Sequence, residues 1–350
     1  MIARGLLLLA AWALPWLAVA DGAGAPASGL QREVVFTEYS PLARSGELLR
    51  RLLSPLNALR VRRELAQSKQ GLREQPLDLT RQKFALYVPD APAPARGYAL
   101  LVFVPPWPQA VVPPRWMATL ERRRTIFVSA AHSGNDADVM DRRIPLALLA
   151  ERNIARRYRV DPQRIYIGGF SGGSRVALRI ALDFPDVFRG ALLDAGSDPI
   201  GNAQIPLPTQ ERFHRFQGST RLVYLTGGRD DAHLRQDVRS RQSMRDWCVF
   251  DLADEGMSMP WTGHQLAGPA AFERALVALE KPARPDSAAL AACRRRIDRE
   301  LAALVQRIGD LLGNGRFDAA RTVLTRIDVR FGGLAAPQSV KWQQALDAPR

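Results

Sequence analysis

Short apolar runs alternate with amphipathic stretches over most of the chain. Runs rich in β-branched and aromatic residues predict strands at 33–39, 83–89, 98–105, 125–130, 164–170, 190–196, 221–227 and 247–253. Helical spacing of leucine and alanine predicts helices between them, most clearly at 143–158, 173–184 and 270–280. Strands that are apolar on both faces and alternate with helices form a mostly parallel sheet covered on both sides. The pattern therefore predicts a doubly wound α/β fold that binds ligands at the carboxyl ends of its strands.

The first twenty residues do not follow this alternation. Residues 1–20 begin with a basic side chain at Arg4, continue as an apolar stretch interrupted by Pro15, and end in small residues up to Ala20. This is the pattern of a signal peptide cut after Ala20, and it is too short to favour a permanent anchor. We therefore expect a periplasmic or secreted protein with no stable membrane insertion after cleavage.

The remaining chain divides into three segments by its pattern. Residues 21–79 predict a strand and a helical extension with a kink at Pro55. Residues 80–283 hold the alternating strands and helices, and are predicted to form the catalytic domain. Residues 284–350 predict a helical hairpin broken by the turn sequence GNGR.

Composition excludes a globally disordered chain. With 350 residues, 47% hydrophobic and 24% charged, the chain can bury a sizeable core. Its net charge of +14 would attract anions. The arginines are spread along the chain instead of forming one basic patch, so we expect no nucleic-acid partner.

The chain has two cysteines, Cys248 and Cys293. In an oxidising compartment such a pair can form a disulfide that ties the last part of the core to the C-terminal helices. The alternative is one buried thiol in a strand and one on a helix. The spacing alone leaves both open.

The sequence RIYIGGFSGGSRVALRIAL at 164–182 contains the strongest chemical motif. Gly169, Ser171 and Gly173 fit the pattern G-x-S-x-G between a predicted strand and a predicted helix, which is typical of a nucleophile elbow. Glycine is needed on both sides because the turn is tight, and the serine hydroxyl stands at a helix N-terminus. The alternative is a glycine-rich turn whose serine only caps the helix.

A nucleophilic serine needs a base, and four histidines are available. In this architecture the chain order is serine, acid, histidine. His132 precedes the serine, His214 is predicted on a helix surface, and His233 follows the acid too closely to reach the serine. His264, in a loop after the last predicted strand, is therefore the predicted base.

The acid is expected after the strand that precedes the last one. The sequence LTGGRDDAH offers Asp230 and Asp231, and the spacing from the glycine turn favours Asp230. Asp231 is a candidate cap for the following helix. Asp194 and Asp198, after an earlier strand, are weaker alternatives.

An oxyanion hole requires two backbone N–H groups. Gly172, directly after the nucleophile, is predicted to supply one. The second is expected from the loop after 98–105, where Pro105 and Pro106 have no N–H to donate. Trp107 is the first residue able to donate, with Gln109 in reserve.

Two further features allow two interpretations each. The aspartates of HSGNDADVMDRR (132–143) suggest calcium, but the loop lacks the complete ligand pattern, which favours a polar active-site loop. Trp116 could line the mouth of the site or pack in the core.

The segment DPQRIYIGGFSGGSRVALRIALDFPDVFRGALLDAG resembles the α/β-hydrolase superfamily, in particular secreted esterases related to polyhydroxybutyrate depolymerases and to feruloyl and acetylxylan esterases. The resemblance covers about 80–280. It implies a Ser171–Asp230–His264 triad with Gly172 in the oxyanion hole, and neither a metal nor an organic cofactor. The chain departs from these relatives at VPPWP, where they usually have His-Gly, which leaves the second oxyanion donor open.

Together these features predict an exported serine hydrolase that cleaves small-molecule or polymer-linked carboxylic esters. Two alternatives remain: a serine peptidase of the same fold, and a non-catalytic binding or scaffold protein on a hydrolase fold.

Overall fold

The computed structural model describes residues 27–68, 71–254 and 259–348, so the predicted signal peptide lies outside the described residues. The strands are β1 (Gly29–Val34), β2 (Phe84–Val88), β3 (Tyr98–Val104), β4 (Thr125–Ala130), β5 (Val160–Phe170), β6 (Gly190–Asp194), β7 (Arg221–Leu225) and β8 (Leu252–Asp254). The helices are α1 (Ser45–Leu52), α2 (Pro55–Gln67), α3 (Met117–Arg122), α4 (Ile144–Arg157), α5 (Gly172–Asp183), α6 (Gln210–Ser219), α7 (Asp231–Asp246), α8 (Pro269–Glu280), α9 (Ser287–Gly313), α10 (Phe317–Phe331) and α11 (Gln338–Asp347).

The strands form one sheet in the order β1-β2-β4-β3-β5-β6-β7-β8. Strand β2 runs antiparallel to both of its neighbours, and every pair from β4 onward is parallel. The expectation of a mostly parallel, doubly wound sheet is confirmed. The carboxyl ends of β5, β7 and β8 therefore open on the same edge of the sheet.

The alternation of side chains along β3 fills two separate cores. Leu100 and Val102 face a core that includes α4 and α5, whereas Leu101 and Phe103 face a second core that includes α8. Because successive strand residues point to opposite faces, one apolar run supplies both layers. This explains why the central strands read as uninterrupted apolar segments.

Two strands differ from the predicted ranges. The first strand ends at Val34, and Phe36 of the predicted 33–39 range turns into the core against Phe84, with ring centroids 4.5 Å apart. Strand β1 pairs with β2, so the sheet already begins within the segment predicted as an extension.

The last strand is shorter than the predicted 247–253 and starts at Leu252. Helix α7 continues to Asp246, and the N–H of Val249 turns back to the carbonyl of Met244 at 2.8 Å. Trp247 is buried edge-on against Phe331 of α10. The apolar residues at 247–249 thus seal a helix end, which is why their pattern resembles a strand.

The C-terminal segment forms the predicted hairpin of α9 and α10, and α11 follows it. Leu324, Ile327 and Phe331 of α10 are buried in the core shared with α5, so the hairpin is part of the main body. Asp328 accepts hydrogen bonds from the hydroxyl of Ser54 at 2.5 Å and the N–H of Leu56 at 3.0 Å, at the start of α2.

Cys248 and Cys293 form a disulfide with their Cα atoms 5.8 Å apart. It joins the end of α7 to α9. Within the described part of the chain, no helix combines the length and the apolar character needed to span a bilayer.

Candidate active site

Ser171 lies at the turn between β5 and α5. Its backbone has φ 55° and ψ −122°, a conformation that side-chain-bearing residues seldom adopt. The N–H of Ser171 donates to the carbonyl of Asp194 at the end of β6, at 2.8 Å, which fixes the turn to the neighbouring strand. A strained serine held at a strand-to-helix turn is the geometry of a nucleophile elbow.

Gly169 and Gly173 of this turn are required by the backbone around them, whereas Gly172 is not. A Cβ on Gly169 would lie 2.2 Å from the backbone of Gly173, and a Cβ on Gly173 would lie 1.9 Å from the carbonyl oxygen of Val104. A Cβ on Gly172 would meet only the side chain of Asn135, with Oδ1 at 2.1 Å. Backbone cannot move away, whereas the exposed Asn135 side chain can rotate.

We therefore expect Gly173→Ala to lower the free energy of unfolding by about 3 kcal/mol, since overpacking against backbone cannot relax. Gly172→Ala is expected to cost about 1 kcal/mol or less. Guanidinium unfolding of both variants checks this. Equal losses would contradict the assignment of the two clashes.

His264 joins the serine to an acid. Its Nε2 lies 3.0 Å from Oγ of Ser171, and its Nδ1 lies 2.6 Å from Oδ2 of Asp230. A carboxylate can only accept, so Nδ1 carries the proton and Nε2 is free to accept from the serine hydroxyl. The structure thus brings together three of the residues predicted from sequence.

The acid and histidine loops are fastened to each other by their backbones. The N–H of Gly228 donates to the carbonyl of Met259 at 2.9 Å, and the N–H of Arg229 donates to the carbonyl of Thr262 at 3.0 Å. A Cβ on Gly227 would lie 2.2 Å from the carbonyl oxygen of Thr262, which explains the glycine turn before the acid. The separation of Asp230 from His264 is therefore set by main-chain contacts.

Asp194 binds the backbone of the histidine loop at Ala267, three residues after His264. Its Oδ2 accepts from the N–H of Ala267 at 3.0 Å, and burial raises the pKa of its carboxyl well above the usual value. Trp116 is fully buried, stacks on Phe272 at 3.9 Å and donates from Nε1 to the carbonyl of Ala267 at 2.8 Å. Of the two interpretations of Trp116, the structure favours core packing, here beneath the histidine loop.

The other acids considered from sequence have different contacts. Asp198 accepts from the side-chain amide of Gln236 at 2.6 Å. Asp231 is the first residue of α7, and Asp230 occupies the N-cap position without a side-chain cap hydrogen bond. Of these candidates, Asp230 is the one in contact with His264.

Sequence reasoning missed the part that His233 has at the site. Its Nδ1 lies 2.8 Å from Oδ1 of Asp230, and its ring stacks on His264 with centroids 4.1 Å apart. Phe170 stacks on His264 at 4.9 Å. Both oxygens of Asp230 are therefore used, and the His264 ring is held by aromatic contacts. The spacing Asp230-x-x-His233 at a helix start was the available signal.

Burial of Asp230 opposes its ionisation, but the hydrogen bonds from His233 and His264 outweigh it and hold its pKa below the usual value. Asp230 therefore stabilises the folded state above the pKa that it has in the unfolded chain, and this contribution is lost as pH falls through its lower folded pKa.

We expect His233→Phe to keep an aromatic ring beside His264 while removing the hydrogen bond to Asp230. The pKa of Asp230 then rises, by up to about one pH unit. Titration of the Asp230 carboxyl followed by 13C NMR measures this, with His214→Phe on α6 as control. An unchanged Asp230 pKa would contradict the prediction.

The loop predicted to supply the second oxyanion donor is firmly held. Arg143 donates from Nη2 to the carbonyl of Pro105 at 3.0 Å, and the N–H of Asn135 donates to the carbonyl of Pro106 at 3.0 Å. The Trp107 ring packs near Phe170, with centroids 6.2 Å apart. Trp107 therefore lies beside the elbow, as does Gly172, and their donor roles stay predictions.

The loop at 132–143 takes part in the site through Asn135, whose side chain covers Gly172. Asp138 uses its carboxylate to accept the N–H groups of Met140 and Asp141, both at 2.7 Å, and so caps a short helical turn. In the described residues, one group suited to a metal is Asp230 with His233 and His264, whose donor atoms lie within 4.8 Å of one another. Both Nδ1 atoms are engaged with the carboxylate there.

The triad candidates follow the ends of three strands in one chain order: Ser171 after β5, Asp230 after β7 and His264 after β8. A serine elbow followed by an acid and then a histidine, on a sheet in which β2 alone runs against the parallel strands, decides the fold. The fold is that of the α/β-hydrolases.

Comparison with known proteins gives matches among solved structures. No protein-family profile and no curated protein sequence matches the chain. Among solved structures, the chain is similar to an S-formylglutathione hydrolase (FrmB) from Staphylococcus aureus, with TM-score 0.45 and 11% identity over 72% of this chain and 99% of that one. It is also similar to a thermostable esterase, with TM-score 0.41 and 14% identity over 58% of this chain and 60% of that one.

A third similar structure is the dipeptidyl peptidase 4 of Porphyromonas gingivalis, with TM-score 0.42 and 16% identity over 57% of this chain. The chain spans 33% of that peptidase and 60% of the thermostable esterase. The fold assignment above rests on the strand order and the elbow of this chain itself.

Proposed function

We propose that this protein is an exported serine hydrolase that cleaves carboxylic esters through an acyl-enzyme intermediate. The observation that carries the proposal is the continuous hydrogen-bonded path from Ser171 Oγ through His264 to Asp230, with distances of 3.0 and 2.6 Å. A serine hydroxyl is a weak nucleophile until such a base removes its proton.

In the first half of the reaction, Oγ of Ser171 attacks the ester carbonyl while Nε2 of His264 takes its proton. The N–H groups of Gly172 and Trp107 are the proposed donors to the developing oxyanion. The tetrahedral intermediate then collapses: the C–O bond to the alcohol breaks, and His264 returns the proton to the leaving oxygen.

In the second half, water loses a proton to His264 and attacks the acyl carbonyl. Collapse releases the carboxylic acid and returns the proton to Ser171. Asp230 stays ionised throughout and stabilises the imidazolium. Its lowered pKa supports this role.

Export is part of the proposal. The disulfide between Cys248 and Cys293 supports it, because disulfides persist in oxidising compartments. The signal-like sequence of residues 1–20 supports it independently.

Labelling with a fluorophosphonate probe tests the class of enzyme. We expect the folded wild-type protein to react at Ser171 and the Ser171→Ala variant to remain unlabelled. Absence of labelling in the folded protein would favour a non-catalytic binding protein. Turnover of a panel of p-nitrophenyl esters beside peptide amides then separates an esterase from a peptidase of the same fold.

A further inference from the structure

A cleft of about 300 Å³ opens beside the elbow, and most of its charged lining residues are cationic. Gly172 lies in its wall, so it adjoins the nucleophile directly. Three arginines contribute to the lining, Arg143, Arg175 and Arg179, against one carboxylate, Asp198. That carboxylate already accepts a hydrogen bond from Gln236.

Helix α5 sets the position of Arg175 relative to the nucleophile. Arg175 follows Ser171 by four residues, which places it one helical turn away, about 6 Å along the axis. Its side chain is exposed. Its guanidinium can therefore reach a group bound next to the reacting carbonyl.

Arg143 forms the buried part of the cleft, with 3% of the residue exposed. Two of its nitrogens are used, Nε by the carbonyl of Ser133 at 3.0 Å and Nη2 by the carbonyl of Pro105 at 3.0 Å. Burial and the nearby charge of Arg175 lower its pKa to about 10. The two cations repel each other, and Asp136 offsets this only in part.

No carboxylate of the described residues lies within 4.0 Å of these three guanidinium groups, although Asp183 on the same helix as Arg179 interacts with it electrostatically. Arg179 donates from Nη2 to the carbonyl of Leu52 at 3.0 Å, and its buried Nε has no hydrogen-bond partner there. Proteins usually pair buried cations, because an isolated one is costly. Net positive charge left in a cleft beside a nucleophile is compensated when an anion binds.

We infer that the substrate carries an anionic group, a carboxylate, which binds between Arg175 and Arg143 while the ester reaches Ser171. This inference rests on the proposed function and specifies its substrate class. Guanidinium groups bind carboxylates through charge-assisted hydrogen bonds. The basic net charge of the chain assists the approach of such a substrate.

A matched pair of fluorogenic esters tests this inference: 4-methylumbelliferyl hexanoate and the 4-methylumbelliferyl monoester of adipic acid. The two have acyl chains of equal length and differ by one terminal carboxylate. We expect wild-type kcat/KM to favour the adipate ester. In Arg175→Gln, the ratio of adipate to hexanoate kcat/KM should fall about tenfold, as expected for loss of a charge-assisted hydrogen bond.

Arg239→Gln is the control, because it removes the same charge from an exposed position on α7 outside the cleft. It should leave the ratio at its wild-type value. A wild-type preference for hexanoate, or a ratio that Arg175→Gln does not change, overturns the inference while the proposed function stands.

If neither ester is hydrolysed, the proposed function fails instead. Calorimetric titration of wild type and Arg175→Gln with monomethyl adipate at constant ionic strength then tests whether the cleft binds an anion. Binding that the substitution weakens supports an anion site, and equal or absent binding overturns it. Competition by acetate against inorganic phosphate distinguishes a carboxylate ligand from a phosphate one.

Discussion

Ser171→Ala is expected to reduce kcat for ester hydrolysis by roughly a factor of 10⁴ or more, because the attacking oxygen is removed while the fold is kept. The Ser171 side chain contacts His264 and makes no cap hydrogen bond to α5, so the free energy of unfolding should change little. Steady-state kinetics on a p-nitrophenyl ester measures the loss. Ser219→Ala, at the end of α6, is the control and should retain full kcat.

A double variant sharpens this prediction. If Ser171 and His264 act as one unit, Ser171→Ala with His264→Ala should cost about as much as either change alone. Multiplied losses would show that the two residues act separately. Residual activity near the wild-type level in Ser171→Ala would contradict the assignment of the nucleophile.

Removal of the disulfide is expected to have the largest effect on stability. The bond joins residues 45 apart, and the chain-entropy relation gives about 4 kcal/mol for a loop of that size. Cys248 is fully buried, so replacing both cysteines with alanine also removes some packing. Guanidinium unfolding of the double alanine variant should show a loss of roughly this size.

Reduced wild-type protein separates the cross-link from the side-chain change. Its unfolding free energy should lie between those of the oxidised protein and the double alanine variant. A loss below about 1 kcal/mol in both samples would mean that the bond contributes little to the constraint of the unfolded chain.

The sheet could be predicted from the sequence because the central strands are apolar on both faces. Strand β3 shows why: its alternate residues fill two cores, so the whole strand is apolar. The same apolar signal wrongly predicts a strand at 247–249, where the residues are buried by the end of α7 and by α10. Apolar character reports burial, and burial by a distant helix looks the same as burial in a sheet.

The predicted triad residues follow from chain order and motif, which are local or one-dimensional properties. The contacts around them do not. The chain order excludes His233 as the base, whereas the structure places its ring against the other oxygen of Asp230. Asn135 meets Gly172 only because the loop at 132–143 folds over the elbow. Such contacts depend on which loops approach each other in the folded chain, and the pattern of a single sequence does not show this.

Helix α7 links two features that are far apart in the fold. Asp230 stands at its N-terminus, Cys248 follows its C-terminus, and its 16 residues span about 24 Å. A force applied to α9 is therefore transmitted to Asp230 through the disulfide and the rigid helix α7. Tethering the protein to a solid support through its C-terminal helices should disturb turnover before the sheet comes apart, whereas tethering at the edge strand β1 should not.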